Sequence, residues 1–312
     1  MCGIFGLVSY GNQNLTSNHL ANEINLMFKL SEMRGKDATG LALVHTESVQ
    51  SLKLPLTASK FLQNTKYKKF IKENLNSIDY SKPLSFMGHC RLMTSGASFN
   101  DVNNQPIQSD SIIGVHNGII TNAPPETNDS RYLFESISKY YKDNENTPLI
   151  KYLEQLTTGS YTCAFYQLEL NQLFLLTNTG SLYYIQTSDY FIYASEKMIL
   201  ENFIKSSTLS LPNKIEIHKL NPLNQFNVDL STRNSLESES KKIKFVVKKS
   251  KNTPEHLRKC SRCILPETYP YISFDKNGVC NFCLHYEKQK LHGEEKLLRY
   301  LEPFRSQTGA PD

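Results

Sequence analysis

The amino-acid sequence predicts a layered α+β domain followed by a small cysteine-rich module. Apolar runs of strand length dominate the first 200 residues, and Asn, Gly, Ser and Asp turn signals separate them. Helical apolar spacing is confined to a few segments between these runs, so the pattern is not a regular alternation of strands and helices. Two Cys-x-x-Cys pairs lie downstream, at 260–263 and 280–283.

The first half of the domain begins with the run CGIFGLVSY, which ends at a Gly-Asn turn signal and predicts a buried strand. Residues 17–34 predict a helix, because their apolar side chains recur near one face after a Ser/Asn start. GLALVH and LSFMGHCRL predict two further strands. In IIGVHNGII, the sequence His-Asn-Gly predicts a tight turn that divides the apolar run.

The second half predicts a helix in DSRYLFESISKYY, four closely spaced strands, and a helix in SEKMILENFIK. The four strand signals are SYTCAFYQLEL, QLFLLTN, SLYYIQT and YFIYAS. We therefore predict a first domain over 1–220 and a polar linker over 221–255. A four-cysteine module over 256–290 and a helix over 291–312 complete the chain.

Composition narrows the class of protein. The chain has 312 residues, of which 39% are hydrophobic and 21% charged, as expected for a soluble globular protein. It lacks a secretory signal and an apolar run long enough to span a membrane, which predicts a cytoplasmic protein without a membrane partner. The basic run at 241–251 has no accompanying set of aromatic residues, so we expect a solvated face rather than a nucleic-acid site.

Cys2 would be the first residue after removal of Met1. It would then carry a thiol and a free α-amine, and an amine with a pKa of about 7.7–8.0 can act as the base for a thiol nucleophile. Taken alone, Cys2 is weak evidence for this chemistry, and an incidental small residue at the chain end is the favoured interpretation.

Five motifs in order resemble the class II glutamine amidotransferases: MCGIFG, RGKDATG (34–40), GHCRLMTSG (88–96), NNQP (103–106) and VHNGIITN (115–122). The resemblance covers residues 2–200. It implies a four-layer αββα sandwich of the N-terminal-nucleophile hydrolases, with a small C-terminal zinc-ribbon-like module following it in this chain. It also implies glutamine as the substrate.

The resemblance implies a role for each matching residue. Cys2 corresponds to the nucleophile, and Asn117 and Gly118 to the oxyanion hole, although Asn-Gly is also an ordinary turn sequence. The substrate-binding positions are Arg91 for the α-carboxylate, with Thr94 and Ser95, and Asp129 for the α-ammonium. Asp129 fits a helix N-cap equally well.

Other residues near these motifs are expected to be structural. Arg34, Asp37 and Gly40 match supporting positions of the family. His89 and His116 are expected to be packed histidines, because an amine base requires no histidine. Cys90 and Cys163 lie in apolar strand patterns and are expected to be buried.

Cys260, Cys263, Cys280 and Cys283 have the spacing of a closed, structural zinc site. A redox pair or disulfides are the alternatives, and His285 is an alternative ligand. Gly278 is expected to allow the second pair to turn.

The segment CSRCILPETYPYISFDKNGVCNFC resembles the start of N-acetyl sugar amidotransferases of surface-polysaccharide synthesis. In that family an ATP-pyrophosphatase synthetase domain follows, which would use ATP, Mg and the ammonia released from glutamine. We expect the chain to be a shortened form or gene fragment that lacks this domain. The alternatives are an asparagine-synthetase-like or PRPP-type amidotransferase, or a non-catalytic zinc-ribbon scaffold.

Overall fold

The computed structural model describes residues 2–45, 48–93, 103–125, 127–230, 258–265, 269, 272–287 and 293–305, and the backbone of 244–248. The described residues divide into two compact units. The first includes those up to Arg258, and the second includes Lys259–Leu265 and those from Ile272 onward. The predicted combination of antiparallel sheets, helices and a four-cysteine cluster is confirmed.

The first unit contains an eight-stranded sheet, antiparallel except for its last pair. Its strands in spatial order are β11 (His218–Lys219), β9 (Tyr183–Gln186), β10 (Tyr190–Ala194), β1 (Gly3–Ser9), β4 (Leu84–Arg91), β2 (Ala38–His45), β3 (Ser48–Leu54) and β13 (Lys244–Lys248). In the register of β1 and β4, Gly3 lies opposite Cys90 and Ile4 opposite His89. Cys2 is therefore placed beside the end of β4.

A second, five-stranded antiparallel sheet belongs to the same unit. Its strands in spatial order are β12 (Asn224–Asp229), β8 (Gln172–Thr177), β7 (Gly159–Gln167), β6 (Ile112–Ile120) and β5 (Ile107–Ser109). β5 pairs with β6 only as far as Gly114, which leaves the remainder of that edge of β6 available to other groups.

The helices are α1 (Ser17–Ser31), α2 (Ala58–Gln63), α3 (Thr65–Leu75), α4 (Asp129–Lys142), α5 (Leu149–Leu156), α6 (Lys197–Ser206), α7 (Asn281–Leu284) and α8 (Gly293–Leu301). Single 3₁₀ turns follow α1 at Glu32–Arg34 and α8 at Glu302–Phe304. The predicted helices at 17–34, 129–141 and 195–205 are confirmed, and the helix predicted over 291–312 is confirmed for Gly293–Leu301, whereas α2, α3 and α5 are not predicted. Within the described ranges, no helix has the length and apolar character needed to cross a bilayer.

Three apolar clusters hold the first unit together. Ile4 and Met87 of one sheet pack with Val115 of the other between the two sheets. Successive strand residues point to opposite faces, and the alternate residue Phe5 packs instead against α1, where its ring meets Phe28 edge-on at 4.9 Å. A third cluster joins β6, β7 and β8 to α4 and α5. Strands buried on both faces explain why the sequence shows continuous apolar runs.

The tight turn predicted at His-Asn-Gly is wrong. β6 is one continuous strand of nine residues, and Asn117 pairs with Thr162 of β7 and Gly118 with Tyr161. Neither residue has the positive φ that an Asn-Gly hairpin turn requires. Glycine is needed at 118 for space, because a Cβ there would lie 2.1 Å from the Ser160 carbonyl oxygen.

Part of the segment predicted as a linker over 221–255 belongs to the sheets. Asn224–Asp229 pairs with β8, and Lys244–Lys248 pairs with β3. β12 lies at a sheet edge and buries few side chains, Val228 among them, so its sequence is polar and turn-like. The boundaries of the domains themselves remain predictions.

The second unit contains the four cysteines, a bridge between Phe274 and Cys280, and helices α7 and α8. Gly278 has φ +78°, as a turn after Lys276 and Asn277 requires. Ile264, which directly follows the first cysteine pair, also has the left-handed conformation, with φ +58°, although it is not a glycine.

Candidate active site and metal centre

Cys2 lies at the start of β1, at one end of the space between the two sheets. Strand alternation places its side chain on the same face as Ile4, which packs in the inter-sheet cluster. The residue is half-buried, and its Sγ lies 3.4 Å from both the backbone nitrogen and the carbonyl oxygen of Leu92. The Leu92 N–H donates to the sulfur, so the thiol is held at the end of β4.

Burial raises the pKa of the Cys2 thiol, and the neighbouring charge of Asp129 adds to this effect. The Leu92 N–H bond and the Arg91 charge act in the opposite direction but do not outweigh burial. Cys2, Arg91 and Asp129 are therefore within electrostatic reach of one another. A protonated resting thiol also needs a base before it can attack a substrate.

Arg91 is the last residue of β4 and is 4% exposed. Its Nη1 donates to the Asn104 side-chain oxygen at 2.8 Å. Burial lowers its pKa, while the charges of Cys2, Asp37 and Asp129 raise it. A buried guanidinium of this kind suits a carboxylate ligand, which it can bind through paired hydrogen bonds.

Asp37 stabilises the segment that follows β4 through two hydrogen bonds. Its backbone N–H donates to the Arg91 carbonyl at 2.9 Å, and its Oδ2 accepts from the Met93 N–H at 2.7 Å. Both bonds fix the segment that contains Arg91 and Leu92, so Asp37 supports the backbone that contacts the Cys2 sulfur.

The contacts of Arg34 and Gly40 indicate that both residues stabilise the local structure. Arg34 forms an ion pair with Glu196 at 2.8 Å, and its Cβ would be 2.9 Å from a Cβ placed on Gly3. At Gly40, a Cβ would lie 1.9 Å from the Gln105 carbonyl oxygen. Glycine at 40 therefore lets the 105–106 segment pass close to β2 just before β5 begins.

Asn117 faces the inter-sheet space, because it alternates in phase with Val115 on β6. It is 4% exposed, and its side-chain oxygen is buried without a hydrogen-bond partner among the described residues. Its side-chain amide thus contributes a polar group on the same side of β6 as the end of β1.

The Gly118 N–H lies along the edge of β6 that faces away from β7. Alternate residues of a strand direct their N–H groups to the same edge. His116 donates its N–H to the Gln105 side-chain oxygen, and Ile120 donates its N–H to Asp129 Oδ2 at 3.3 Å. The Gly118 N–H lies between these two anchored groups and points the same way, away from β7.

The alternative assignment of Asp129 as the helix N-cap is wrong. Asn128 caps α4, with its side-chain oxygen accepting from the N–H groups of Ser130 and Arg131. Asp129 is the first helical residue, and its Oδ1 accepts from the Ser130 N–H at 2.8 Å. Its carboxylate lies between the start of α4 and the edge of β6, where the helix N-terminus favours negative charge.

Of the remaining predicted residues, two lie outside the described part of the chain and the others are buried. Thr94 and Ser95 lie outside the described residues. Cys90 and Cys163 are fully buried, as predicted. His116 is buried and its Nδ1 lies 2.8 Å from the Ser130 hydroxyl.

Sequence reasoning missed three residues of this site: Asn104, Gln105 and Ser130. All three are at most 4% exposed. Asn104 and Gln105 belong to the motif NNQP, and Ser130 follows Asp129 directly. Their signal was therefore present as polar residues inside the motifs, but only the structure shows what they contact.

His89 gives a testable pH dependence. It is 1% exposed, and burial together with the Arg91 charge lowers its pKa to about 3. Unfolded histidine has a pKa of about 6.5, so between these values the unfolded chain binds more protons than the folded one. The stability from neutral His89 is complete above pH 6.5 and is lost as the pH falls towards 3.

We expect His89→Gln to weaken the loss of stability in acid. Between pH 7 and 4.5, its free energy of unfolding should fall less than that of the wild type, by on the order of 2 kcal/mol. Urea unfolding followed by circular dichroism measures the difference. His19→Gln, at an exposed position of α1, is the control, and equal pH slopes for all three proteins would contradict the assignment.

The four cysteines of the second unit form one cluster, with sulfur atoms all within 4.8 Å of one another. Cys260 and Cys283 are 4.0 Å apart, and Cys263 and Cys280 are 3.6 Å apart. A tetrahedron with metal–sulfur distances of about 2.3 Å has edges of about 3.8 Å. These cysteines could therefore hold a metal ion such as zinc.

Backbone N–H groups also favour metal binding, because they stabilise thiolate sulfur. Desolvation raises the pKa of Cys260, but hydrogen bonds from the N–H groups of Cys263, Arg262 and Cys280 outweigh it and lower the pKa to about 6. Desolvation raises the pKa of Cys280, and hydrogen bonding with the Cys263 sulfur raises that of Cys283, so of these three only Cys260 is held as a thiolate before a metal binds. His285, the alternative ligand, directs its Nδ1 to the Asn281 carbonyl oxygen at 2.8 Å. All seven cysteines are unpaired, which argues against the disulfide alternative.

No protein-family model matches this chain, and no curated protein gives a significant match. Among solved structures, the chain resembles a glutamine phosphoribosylpyrophosphate amidotransferase from B. subtilis complexed with ADP and GMP, with 14% identity and a TM-score of 0.42. It also resembles a structure described as the allosteric regulatory enzyme of purine biosynthesis, with 16% identity and a TM-score of 0.46. Each alignment covers 74% of this chain and 50% of the other, so the chain spans about half the length of these structures. Similarity at this level does not establish a function, which we derive from the site itself.

Proposed function

We propose that the first unit hydrolyses the side-chain amide of glutamine and releases ammonia. The observation that carries this proposal is that Cys2 Sγ contacts the backbone of Leu92, directly after Arg91, while the Asp129 carboxylate accepts from the Ile120 N–H on the edge of β6. The charges of Arg91 and Asp129 both act on the Cys2 thiol. A cation, an anion and a thiol at one place match the carboxylate, the ammonium and the reacting carbon of an α-amino acid amide.

Each residue has a defined part in the proposed reaction. Arg91 binds the α-carboxylate and Asp129 binds the α-ammonium, which leaves the side-chain amide directed to Cys2. Thr94 and Ser95 are proposed as further carboxylate contacts. Gly118 N–H and the Asn117 side-chain amide donate to the carbonyl oxygen as it becomes negatively charged.

The chemical steps balance without a cofactor. The α-amine of Cys2 takes the thiol proton, and the sulfur bonds to the amide carbon. The carbon–nitrogen bond then breaks as the ammonium returns the proton to the leaving nitrogen, which leaves ammonia and a γ-glutamyl thioester. Water attacks the thioester, and glutamate and the free Cys2 thiol are restored.

The proposed fold is the four-layer αββα sandwich of the N-terminal-nucleophile hydrolases. Support comes from the three apolar clusters, one between the sheets and one on the helix-covered side of each sheet. In this arrangement the nucleophile lies at the end of a central strand, as Cys2 does.

The ammonia is proposed to serve an ATP- and Mg-dependent synthetase domain or subunit that acts on a sugar or similar acceptor. The four-cysteine cluster favours this acceptor class over the asparagine-synthetase-like and PRPP-type alternatives, since it carries the sequence resemblance to sugar amidotransferases. A non-catalytic zinc-ribbon scaffold is the alternative from another class, and the buried charged residues around Cys2 argue against it.

The test is hydrolysis of L-glutamine by the purified chain with its N-terminus at Cys2. We expect glutamate and ammonia in equal amounts, measured by chromatography and by an enzyme-coupled ammonia assay. The same assay is run with a sugar amidotransferase synthetase partner added, because release can depend on an acceptor. Absence of Cys2-dependent release in both conditions would favour the scaffold alternative.

We also propose that the second unit binds one structural zinc ion through Cys260, Cys263, Cys280 and Cys283. Four thiolates would close the coordination shell and leave no position for a substrate. Elemental analysis should find about one zinc per chain.

Cys260→Ser should lower the zinc content to nearly zero and make the second unit susceptible to limited proteolysis. Ser261→Ala, which leaves all four sulfur atoms in place, is the matched control and should retain the metal. A folded, protease-resistant and metal-free second unit in the wild type would contradict the proposal.

A further inference from the structure

Three buried polar side chains lie behind the proposed substrate site. Gln105 and Ser130 are each 4% exposed and His116 is 1% exposed. We refer to them as the Gln105–His116–Ser130 network. None of the three is one of the proposed substrate contacts.

Gln105 takes the place of a neighbouring strand along β6. β5 has stopped pairing at Gly114, and the Gln105 side-chain amide then bonds to both backbone groups of His116. Its Nε2 donates to the His116 carbonyl at 3.1 Å, and its Oε1 accepts from the His116 N–H. This pair of bonds continues the ladder of β6 beyond the end of β5.

Ser130 joins this assembly to the start of α4. Gln105 Nε2 also donates to the Ser130 hydroxyl oxygen at 3.0 Å, and His116 Nδ1 lies 2.8 Å from the same oxygen. The Ser130 oxygen accepts from Gln105 Nε2, so its own hydroxyl proton can be donated to His116 Nδ1 in the tautomer that carries the ring proton on Nε2. The hydroxyl thus fixes the first turn of α4 against β6.

The network meets the proposed site at two positions. Asp129 precedes Ser130, accepts from its N–H, and also accepts from the Ile120 N–H. His116 and Ile120 flank Gly118 at two residues on either side, and each is held on the same edge. A Cβ placed on Gly118 would lie 2.7 Å from His116 Nε2, so the histidine ring packs closely against this glycine. The position of the Asp129 carboxylate therefore depends on how α4 is seated on β6.

We propose that Gln105, His116 and Ser130 are positioning residues that set the Asp129 carboxylate for the α-ammonium of the substrate, and so make the site selective for amides that carry this group. This inference rests on the proposed glutaminase function. The network acts through Asp129, so its loss should affect a substrate with an α-ammonium and spare one without it.

Glutaramate is the matched probe, because it is glutamine without the α-ammonium. For the wild type, kcat/KM should be much higher with L-glutamine than with glutaramate. Ser130→Ala should lower this ratio about fivefold to tenfold, as expected for weakening of one charge-assisted contact. The change should occur in the KM for L-glutamine, with kcat and the glutaramate constants within about twofold of the wild type.

Ser138→Ala is the control variant. Ser138 also lies on α4, is also 4% exposed, and also loses a cross-element bond, to the Ser109 carbonyl at 2.9 Å. Its substrate ratio should equal that of the wild type. Ser130→Thr keeps the hydroxyl and should retain the wild-type ratio. Gln105→Ala, which removes the amide from the same network, should lower the ratio and serves as the test if Ser130→Ala fails to fold.

Two results would overturn the inference: an unchanged ratio in Ser130→Ala, or an equal loss with both substrates, which would indicate a structural role alone.

Calorimetric titration of L-glutamine and of glutaramate into the Cys2→Ala protein, with and without Ser130→Ala, measures the same discrimination without turnover. Selective binding of L-glutamine that depends on Ser130, without ammonia release by the wild type, would overturn the proposed glutaminase function and support the positioning role. Binding without selectivity would overturn the positioning role whether or not ammonia is released.

Discussion

Cys2→Ala is expected to reduce the release of ammonia from L-glutamine by at least about 10³-fold, because it removes the sulfur that is proposed to form the thioester. Among the described residues, Cys2 is the one nucleophilic side chain in the set that includes Arg91 and Asp129. The fold should be unchanged, since the half-buried sulfur contacts only backbone groups of Leu92 in the described hydrogen bonds. Rates from the ammonia assay and circular dichroism spectra measure the two effects.

Cys163→Ala is the matched control for this variant. Cys163 is fully buried on the α4 side of β7, away from the inter-sheet space. Its removal leaves a small cavity that should cost about 1 kcal/mol of stability and leave the rate within about twofold of the wild type. A Cys2→Ala protein that hydrolyses glutamine at the wild-type rate would show that the nucleophile lies elsewhere.

Much of the fold could be predicted because β1, β4, β7, β8 and β10 are buried on both faces. Such strands leave continuous apolar runs in the sequence. The elements that were missed have weaker local signals. β12 lies at a sheet edge with most side chains exposed, and α3 has only Tyr67, Phe70 and Leu75 as buried apolar residues among many lysines.

The site was predicted from motifs, but its arrangement was not. Asn-Gly has a strong local preference for turns, yet Asn117 and Gly118 lie inside a strand because β7 pairs with them along their whole length. The sequence also allows Asp129 as a helix cap, but Asn128 has that role and leaves the Asp129 carboxylate to bond to β6 and to face the proposed substrate site. Both outcomes depend on contacts between segments distant in sequence, which local patterns do not contain.

Few of the described groups are suited to accept the proton of the Cys2 thiol. The described hydrogen bonds of the thiol are to Leu92 backbone atoms alone. His89 and His116 are buried, burial lowers the pKa of both, and His116 Nδ1 is occupied by Ser130. The α-amine of Cys2 itself has a pKa of about 7.7–8.0 when unperturbed, and with both histidines disfavoured we propose it as the group that accepts the thiol proton near neutral pH.

Extension of the chain by one residue ahead of Cys2 should therefore reduce kcat/KM by about 10²- to 10⁴-fold, because an amide nitrogen is not a base. The protein beginning at Cys2 should show kcat/KM rising with pH through the pKa of the amine, and the extended protein should lack this rise. Mass spectrometry of each preparation establishes the N-terminus before the rates are compared. A one-residue extension at the other end of the chain is the control and should leave the rate unchanged. Equal activity of the protein with Met1 retained would show that another base serves Cys2, even if the Cys2→Ala variant is inactive.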